Sequence, residues 1–186
     1  MDLLPHTPLA RLSRQQLPAH MQQAWDAALA LHGDTTFIEV FGQAPQAYDW
    51  YLHEFYRKFF YSGRIERSVV ELVRLRLANI HGCAFCNRSD TLAALAGGVP
   101  QAQIDALANY EEGPFNEREK GALALADVMA LTNTRGRITP ELHARLATQF
   151  SDGELVELWV MMAMLCGMAK MIFAFDLVEK MPTCPL

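Results

Sequence analysis

The sequence predicts an all-α bundle of about eight helices, forming one domain over residues 1–186. Apolar residues recur at helical rather than alternating spacing, the punctuation is that of helix caps, and the linkers are short. With 51% hydrophobic and 20% charged residues, the chain can build a full globular core.

Residues 1–17, with Pro5 and Pro8, read as an extended lead-in. Helices are expected over Pro18–Leu31, Thr35–Phe41 and Pro45–Tyr61, the last stopping at Ser62-Gly63. The next runs Arg67–Ile80 and leads into a cysteine-bearing helix, Cys83–Ala96. That helix stops at Gly97-Gly98, because glycine tolerates the left-handed conformation that closes a helix. Pro100 opens a short helix through Ala108. Asn116 with Glu119 forms a capping-box pattern before Ala122–Leu131. Thr139-Pro140 supplies a cap followed by proline at the first helical position. Ser151 with Glu154 repeats the capping box before a long apolar helix.

The net charge of −5 is spread along the chain with no basic block, so neither nucleic acid nor an anionic membrane is an expected partner. Leu155 to Val178 is very apolar, but Glu157, Lys170 and Asp176 interrupt it and its unbroken run falls short of the roughly 20 residues of a span. A core helix or subunit interface is expected there. Met1-Asp-Leu-Leu-Pro does not read as a secretory signal, which predicts a reducing, cytoplasmic setting. Four cysteines in such a chain are not a disulfide scaffold.

Two of those cysteines, Cys83 and Cys86, stand three apart at a predicted helix start, and Asp90 continues the same face at i+7. A thiol in a first helical turn meets the positive end of the dipole and unpaired amide donors, both of which favour the thiolate. The spacing lets the two sulfurs bond once one is oxidised. Three readings stand side by side: a redox dithiol, a metal site, and two ordinary buried cysteines. With one cysteine pair, and only His81 and Asp90 nearby, the ligand set is short of a structural zinc site, so no metal is expected.

Glu71 lies on a helix that is apolar on nearly every side, which predicts burial and a raised carboxyl pKa suited to proton exchange. The alternative is an ion pair with Arg67 or Arg74, both within a turn. Asp90 reads either as a second proton carrier, sharing a proton with Glu71, or as a solvated aspartate beside Arg88. His81 is an accessory candidate base. Cys166 reads as a packing residue and Cys184 as exposed and incidental.

Glu71-x11-Cys83-x2-Cys86, followed by Ala94-Leu-Ala-Gly-Gly-Val-Pro100, resembles the alkylhydroperoxidase AhpD and carboxymuconolactone decarboxylase-like superfamily. The resemblance covers roughly Arg64 to Leu131, the core redox segment, and recurs more loosely over Phe150–Leu158. It implies an AhpD-like helical homo-oligomer (a dimer, trimer or hexamer) that reduces alkyl hydroperoxides without an organic or metal cofactor. By the match, Cys86 is the peroxidatic cysteine, Cys83 resolves it, Glu71 relays protons, and an external dithiol of the lipoyl kind restores the thiols. The family pattern usually places a histidine four residues beyond the second cysteine, where this chain has Asp90. A decarboxylase-like enzyme on a small acid and a non-catalytic redox-sensing oligomer are the alternatives.

Overall fold

The computed structural model describes residues 3–185. Residues 1 and 2 of the expected lead-in, and residue 186, lie outside the described residues. The rest of residues 3–17 forms no helix apart from a 3-10 turn at Arg14–Gln16, and bends at Leu4 and at Pro8 and Leu9. The helices that follow are α1 (Ala19–His32), α2 (Thr36–Phe41), α3 (Pro45–Asp49), α4 (Arg67–His81), α5 (Ala84–Ala96), α6 (Gln101–Ala106), α7 (Glu117–Met129), α8 (Pro140–Ala147) and α9 (Asp152–Ala174). Among the described residues the fold is all-helical, with no strand, and a single antiparallel bridge joins Cys83 to Lys180.

The predicted caps form as the sequence reads. Asn116 and Ser151 close capping boxes with Glu119 and Glu154, and Thr139 Oγ1 accepts from the Leu142 amide. Gly98, at φ +89°, takes the left-handed position after α5. Helix α4 is the centre of the bundle, packed by α5, α7 and α9. Its Leu72 and Leu75 are fully buried, and each such leucine contributes about 2 kcal/mol of hydrophobic stabilisation. The membrane question resolves into geometry: α9 has the length and apolarity of a span, and it lays Leu155, Leu158, Met161, Met162 and Cys166 into the core.

One element departs from expectation. The helix read as Pro45–Tyr61 is α-helical only through Asp49, and continues without a break as a π-helix over Trp50–Phe60. The Tyr61 amide accordingly donates to the Tyr56 carbonyl, five residues back, at 2.9 Å. The wider turn stacks aromatic rings: Tyr51 lies parallel to Phe55 at 5.5 Å, and Tyr56 meets Phe60 edge-on at 5.3 Å. Contacts of this kind add about 0.5–1.5 kcal/mol each beyond burial, and they offset the poorer backbone geometry of the π turn.

After α9 the chain reverses at Asp176, a non-glycine residue at φ +54°. Its carboxylate accepts from the His6 amide and pairs with Lys180. The following segment crosses the start of α5. Lys180 donates its amide to Leu3, and Met181 donates to the carbonyl of Gly82.

Candidate functional site

Helix α4 ends on Gly82 at φ +70°, and the tight turn delivers Cys83 to the N-cap of α5. Cys83 and Cys86 are disulfide-bonded, with Cα atoms 5.2 Å apart, and Cys83 Sγ accepts from the Cys86 amide at 3.0 Å. The two sulfurs differ in exposure. Cys83 is 1% exposed, packed against Val40, Ile172, Leu177 and Val178, whereas Cys86 is half-buried. Both border a cavity of about 180 Å³, and Arg74, His81 and Asp90 share its wall.

The amide donors of the first turn are not left unpaired, contrary to expectation. The amides of Ala84 and Phe85 both donate to the Glu179 carbonyl, at 3.0 and 3.3 Å. The same residue's carboxylate pairs with Arg88. The crossing segment therefore supplies the cap that the cysteine-bearing helix needs. Cys184 is part of this arrangement and is not the exposed residue expected: it is half-buried, packs on Gly82, and donates its thiol to the His81 carbonyl at 3.3 Å. Cys166 is the expected packing residue, its thiol pushed up to about 11 by burial.

Asp90 is neither solvated nor beside Arg88. It is 4% exposed, and its Oδ1 lies 2.6 Å from Nη2 of Arg74. Arg74 stands between the two carboxylates that the sequence brought to attention. Its Nη1 is 3.5 Å from Glu71 Oε2 and donates to the Tyr61 hydroxyl at 3.0 Å. Direct proton sharing between Asp90 and Glu71 therefore gives way to a guanidinium bridge. Burial raises the Asp90 carboxyl to about 6; Arg74 opposes that rise and the Glu71 charge adds to it. Burial works against the Arg74 charge too, but Tyr56, Asp90, Tyr61 and Glu71 outweigh it and hold its pKa above the ordinary value.

Glu71 is buried, as predicted, and both candidate arginines reach it: Arg67 Nε is 3.5 Å from Oε1. The Tyr61 hydroxyl donates to Oε1 at 2.9 Å, while Oε2 has no hydrogen-bond partner. Glu71 does not border the cavity. It is connected to it through Arg74. His81 is buried against the cavity wall, and its Nε2 accepts from the Leu131 amide at 3.1 Å. That bond fixes the neutral ring with its proton on Nδ1, and burial lowers its pKa to about 4.

Sequence reasoning missed the tyrosines. Tyr51 and Tyr56 border the cavity, and Tyr51 donates to the Tyr56 hydroxyl at 3.3 Å. The Arg74 guanidinium lies 5.0 Å from the centre of the Tyr56 ring. The signal was a recurrence at five-residue spacing, Tyr51, Tyr56, Tyr61, which has meaning only in a π register. Phe85 and Ser89 border the cavity too, and both meet His32, which stacks on the Phe85 ring at 3.7 Å and lies 3.1 Å from the Ser89 hydroxyl. Among the described residues, no three His, Cys, Asp or Glu side chains are grouped to hold a metal ion.

Residues 45–128, which carry Glu71, both cysteines and the tyrosines, match the profile of the carboxymuconolactone decarboxylase family. A 102-residue stretch is 29% identical to the uncharacterized protein YdfG of Bacillus subtilis, covering 54% of this chain and 69% of that one. Among solved structures, the apo debrominase Bmp8 superposes with a TM-score of 0.72 at 17% identity, over 97% of this chain and 95% of that one. A cysteine-to-alanine form of Bmp8 holding 2,3,4-tribromopyrrole superposes equally well. An uncharacterized peroxidase-related protein from Ralstonia eutropha, with an AhpD core, gives 0.69 at 12% identity over 95% and 93% of the two chains. A candidate AhpD antioxidant-defence protein of unknown function from Agrobacterium tumefaciens gives 0.64 at 22% identity, covering 73% and 91%.

Proposed function

We propose, from the match of residues 45–128 to the carboxymuconolactone decarboxylase family and the likeness of the fold to AhpD-type proteins, that this chain is a thiol-dependent peroxidase that reduces small hydroperoxides at the expense of an external dithiol. The observation that carries the reading is the one-sided disulfide. Both sulfurs border the small cavity, but Cys86 is half-buried whereas Cys83, 1% exposed, is packed against Leu177 and Val178. Cys86 thiolate attacks the terminal peroxide oxygen, the O–O bond breaks, and the alcohol leaves after taking a proton. Cys83 then displaces water from the sulfenic acid and forms the disulfide. A dithiol reductant reopens that disulfide by exchange at the accessible sulfur, Cys86.

The acid at position 90 is compatible with this chemistry because Arg74 pairs with it. An isolated carboxylate one turn from Cys86 would hold the thiol protonated; a guanidinium-paired one does so far less. The cavity, about 180 Å³, holds about half a dozen waters or one small organic molecule, which favours short alkyl hydroperoxides over lipid ones. Self-association fits the exposed apolar residues Val156, Trp159 and Val160 along α9, and a reducing compartment such as the cytoplasm fits a dithiol cycle.

A second reading has its own support, since the wall also carries Phe37 and Phe85 and the likeness to the debrominase covers nearly the whole chain. In that case the dithiol reduces a carbon–bromine bond: the ring carbon takes a proton, bromide leaves, and Cys83 and Cys86 become the disulfide. A peroxide-consumption assay with dihydrolipoamide, run beside bromide release from a bromopyrrole, tests both. Peroxide turnover lost in Cys86→Ser supports the first reading. Bromide release without peroxide turnover replaces it with the second, and unchanged turnover in Cys86→Ser removes the thiol mechanism.

A further inference from the structure

The peroxidase reading leaves one requirement open: the alkoxide expelled when Cys86 is oxidised needs a proton. The ionisable groups around the cavity are poorly placed to give it. Asp90 is held by Arg74 at 2.6 Å, and Glu71 lies behind Arg74, away from the cavity. His81 is held as the neutral ring, its Nε2 accepting from the Leu131 amide, so it brings no imidazolium proton, and the Ser89 hydroxyl is turned to His32. The π-helix brings a different group to the same wall. Tyr51 and Tyr56, five residues apart, meet hydroxyl to hydroxyl at 3.3 Å, with Tyr51 donating. Tyr56 therefore accepts one hydrogen bond and still carries its own proton. The Arg74 guanidinium, 5.0 Å from the Tyr56 ring centre, favours negative charge on that oxygen as the proton departs.

We propose that the Tyr51–Tyr56 hydroxyl pair is the general acid of this cavity, with Tyr56 protonating the leaving oxygen and Tyr51 steadying the phenolate that results. This assignment rests on the peroxidase reading. In the step, Cys86 sulfur forms a bond to the terminal peroxide oxygen and the O–O bond breaks. The sulfur loses two electrons to the peroxide, and the expelled RO⁻ takes the Tyr56 proton to leave as ROH. Water entering the cavity then returns a proton to Tyr56. Burial raises the pKa of both tyrosines, so they stay protonated through the neutral range.

The test compares Tyr56→Phe and Tyr51→Phe with the unsubstituted chain in single-turnover oxidation of the reduced protein by two oxidants. tert-Butyl hydroperoxide expels a strongly basic alkoxide, whereas peroxyacetic acid expels acetate, which needs no proton. Tyr56→Phe is expected to slow oxidation by tert-butyl hydroperoxide about 100-fold, in the range of general-acid effects, and to leave the peroxyacetic acid rate within about twofold. Tyr51→Phe is expected to show the same selectivity with a smaller loss. Alkylation of Cys86 by iodoacetamide reports on the thiolate alone and is expected to be unchanged. Equal slowing of both oxidants and of alkylation, or no slowing by either substitution, overturns the proton-donor assignment and leaves the peroxidase reading standing. Failure of the unsubstituted chain to be oxidised at Cys86 by tert-butyl hydroperoxide overturns both.

Discussion

Arg74 and Asp90 form a buried ion pair across the α4–α5 contact, with Nη2 2.6 Å from Oδ1 and the aspartate 4% exposed. The pair fastens the cysteine-bearing helix to the central helix of the bundle. It also determines what position 90 can accept.

Asp90→Asn removes one partner of that pair and leaves Arg74 short of a counter-charge, so a loss of about 3–5 kcal/mol in urea unfolding is expected. Asp90→His introduces the histidine of the pattern that the sequence resembles, but sets an imidazole against the guanidinium. It should be no more stable than Asp90→Asn at pH 6, where a protonated ring would repel Arg74. An Asp90→His chain as stable as the original would show that Arg74 does not depend on Asp90.

Burial of His81 gives the fold a definite pH dependence. Its folded pKa of about 4 lies below the ordinary 6.5, so the unfolded chain binds the proton more readily. The stability this group contributes is fully present above about 6.5 and is lost as pH falls toward 4. Asp90, raised from 3.8 to about 6, acts in the opposite sense, its contribution fading as pH rises through that window. Replacing His81 by Gln removes the first effect alone. Between pH 7.5 and 4.5 the His81→Gln chain should gain about 2.5 kcal/mol relative to the original in chemical denaturation. Parallel pH profiles for the two chains would contradict a buried neutral imidazole.

Tyr61 is the hydroxyl donor to Glu71, whose second oxygen has no hydrogen-bond partner. Tyr61→Phe preserves the ring contacts and deletes the donor to Glu71 together with the acceptor of Arg74 Nη1. A cost of about 1–3 kcal/mol is expected, with little change in near-ultraviolet circular dichroism. A negligible cost would mean that Arg67 and Arg74 satisfy the carboxylate without it.

Gly82 is required twice over. Its φ of +70° suits glycine, and a Cβ added there would overlap the backbone of Cys184. Gly82→Ala should cost about 2 kcal/mol or more, including about 1–2 kcal/mol for the left-handed conformation itself. It should also speed modification of Cys184 by a thiol reagent, read by mass spectrometry, because the crossing segment must move. Unchanged Cys184 reactivity would place that segment's anchorage elsewhere.

The fold and the pairing of Cys83 with Cys86 were legible because their signals are local. Caps such as Asn116–Glu119 lie within one turn, and Glu71, Cys83 and Cys86 announce themselves by residue type and spacing. Asp90 could not be read correctly in isolation, since its environment is set by Arg74, a residue of another helix that seemed to concern Glu71 alone. The tyrosines escaped for a geometric reason. On an α-helix, residues five apart point about 140° away from each other, so Tyr51 and Tyr56 look unrelated when read at 3.6 residues per turn. The Glu179 carbonyl over the cysteine helix is a contact across more than ninety positions, and no local pattern encodes it.

A π-helix can be viewed as an α-helix that has accepted extra residues within its turns, which gives the Trp50–Phe60 segment a genetic reading. Deleting one residue between Tyr51 and Tyr56 would leave the pair four apart, the spacing that an ordinary α-turn already places on one face, so the extra residue and the wide turn are matched to each other. The hydroxyl pair is thus written in the length of the segment as much as in its letters. Relatives that carry the two tyrosines four apart should hold them together on an α-turn, without the π register.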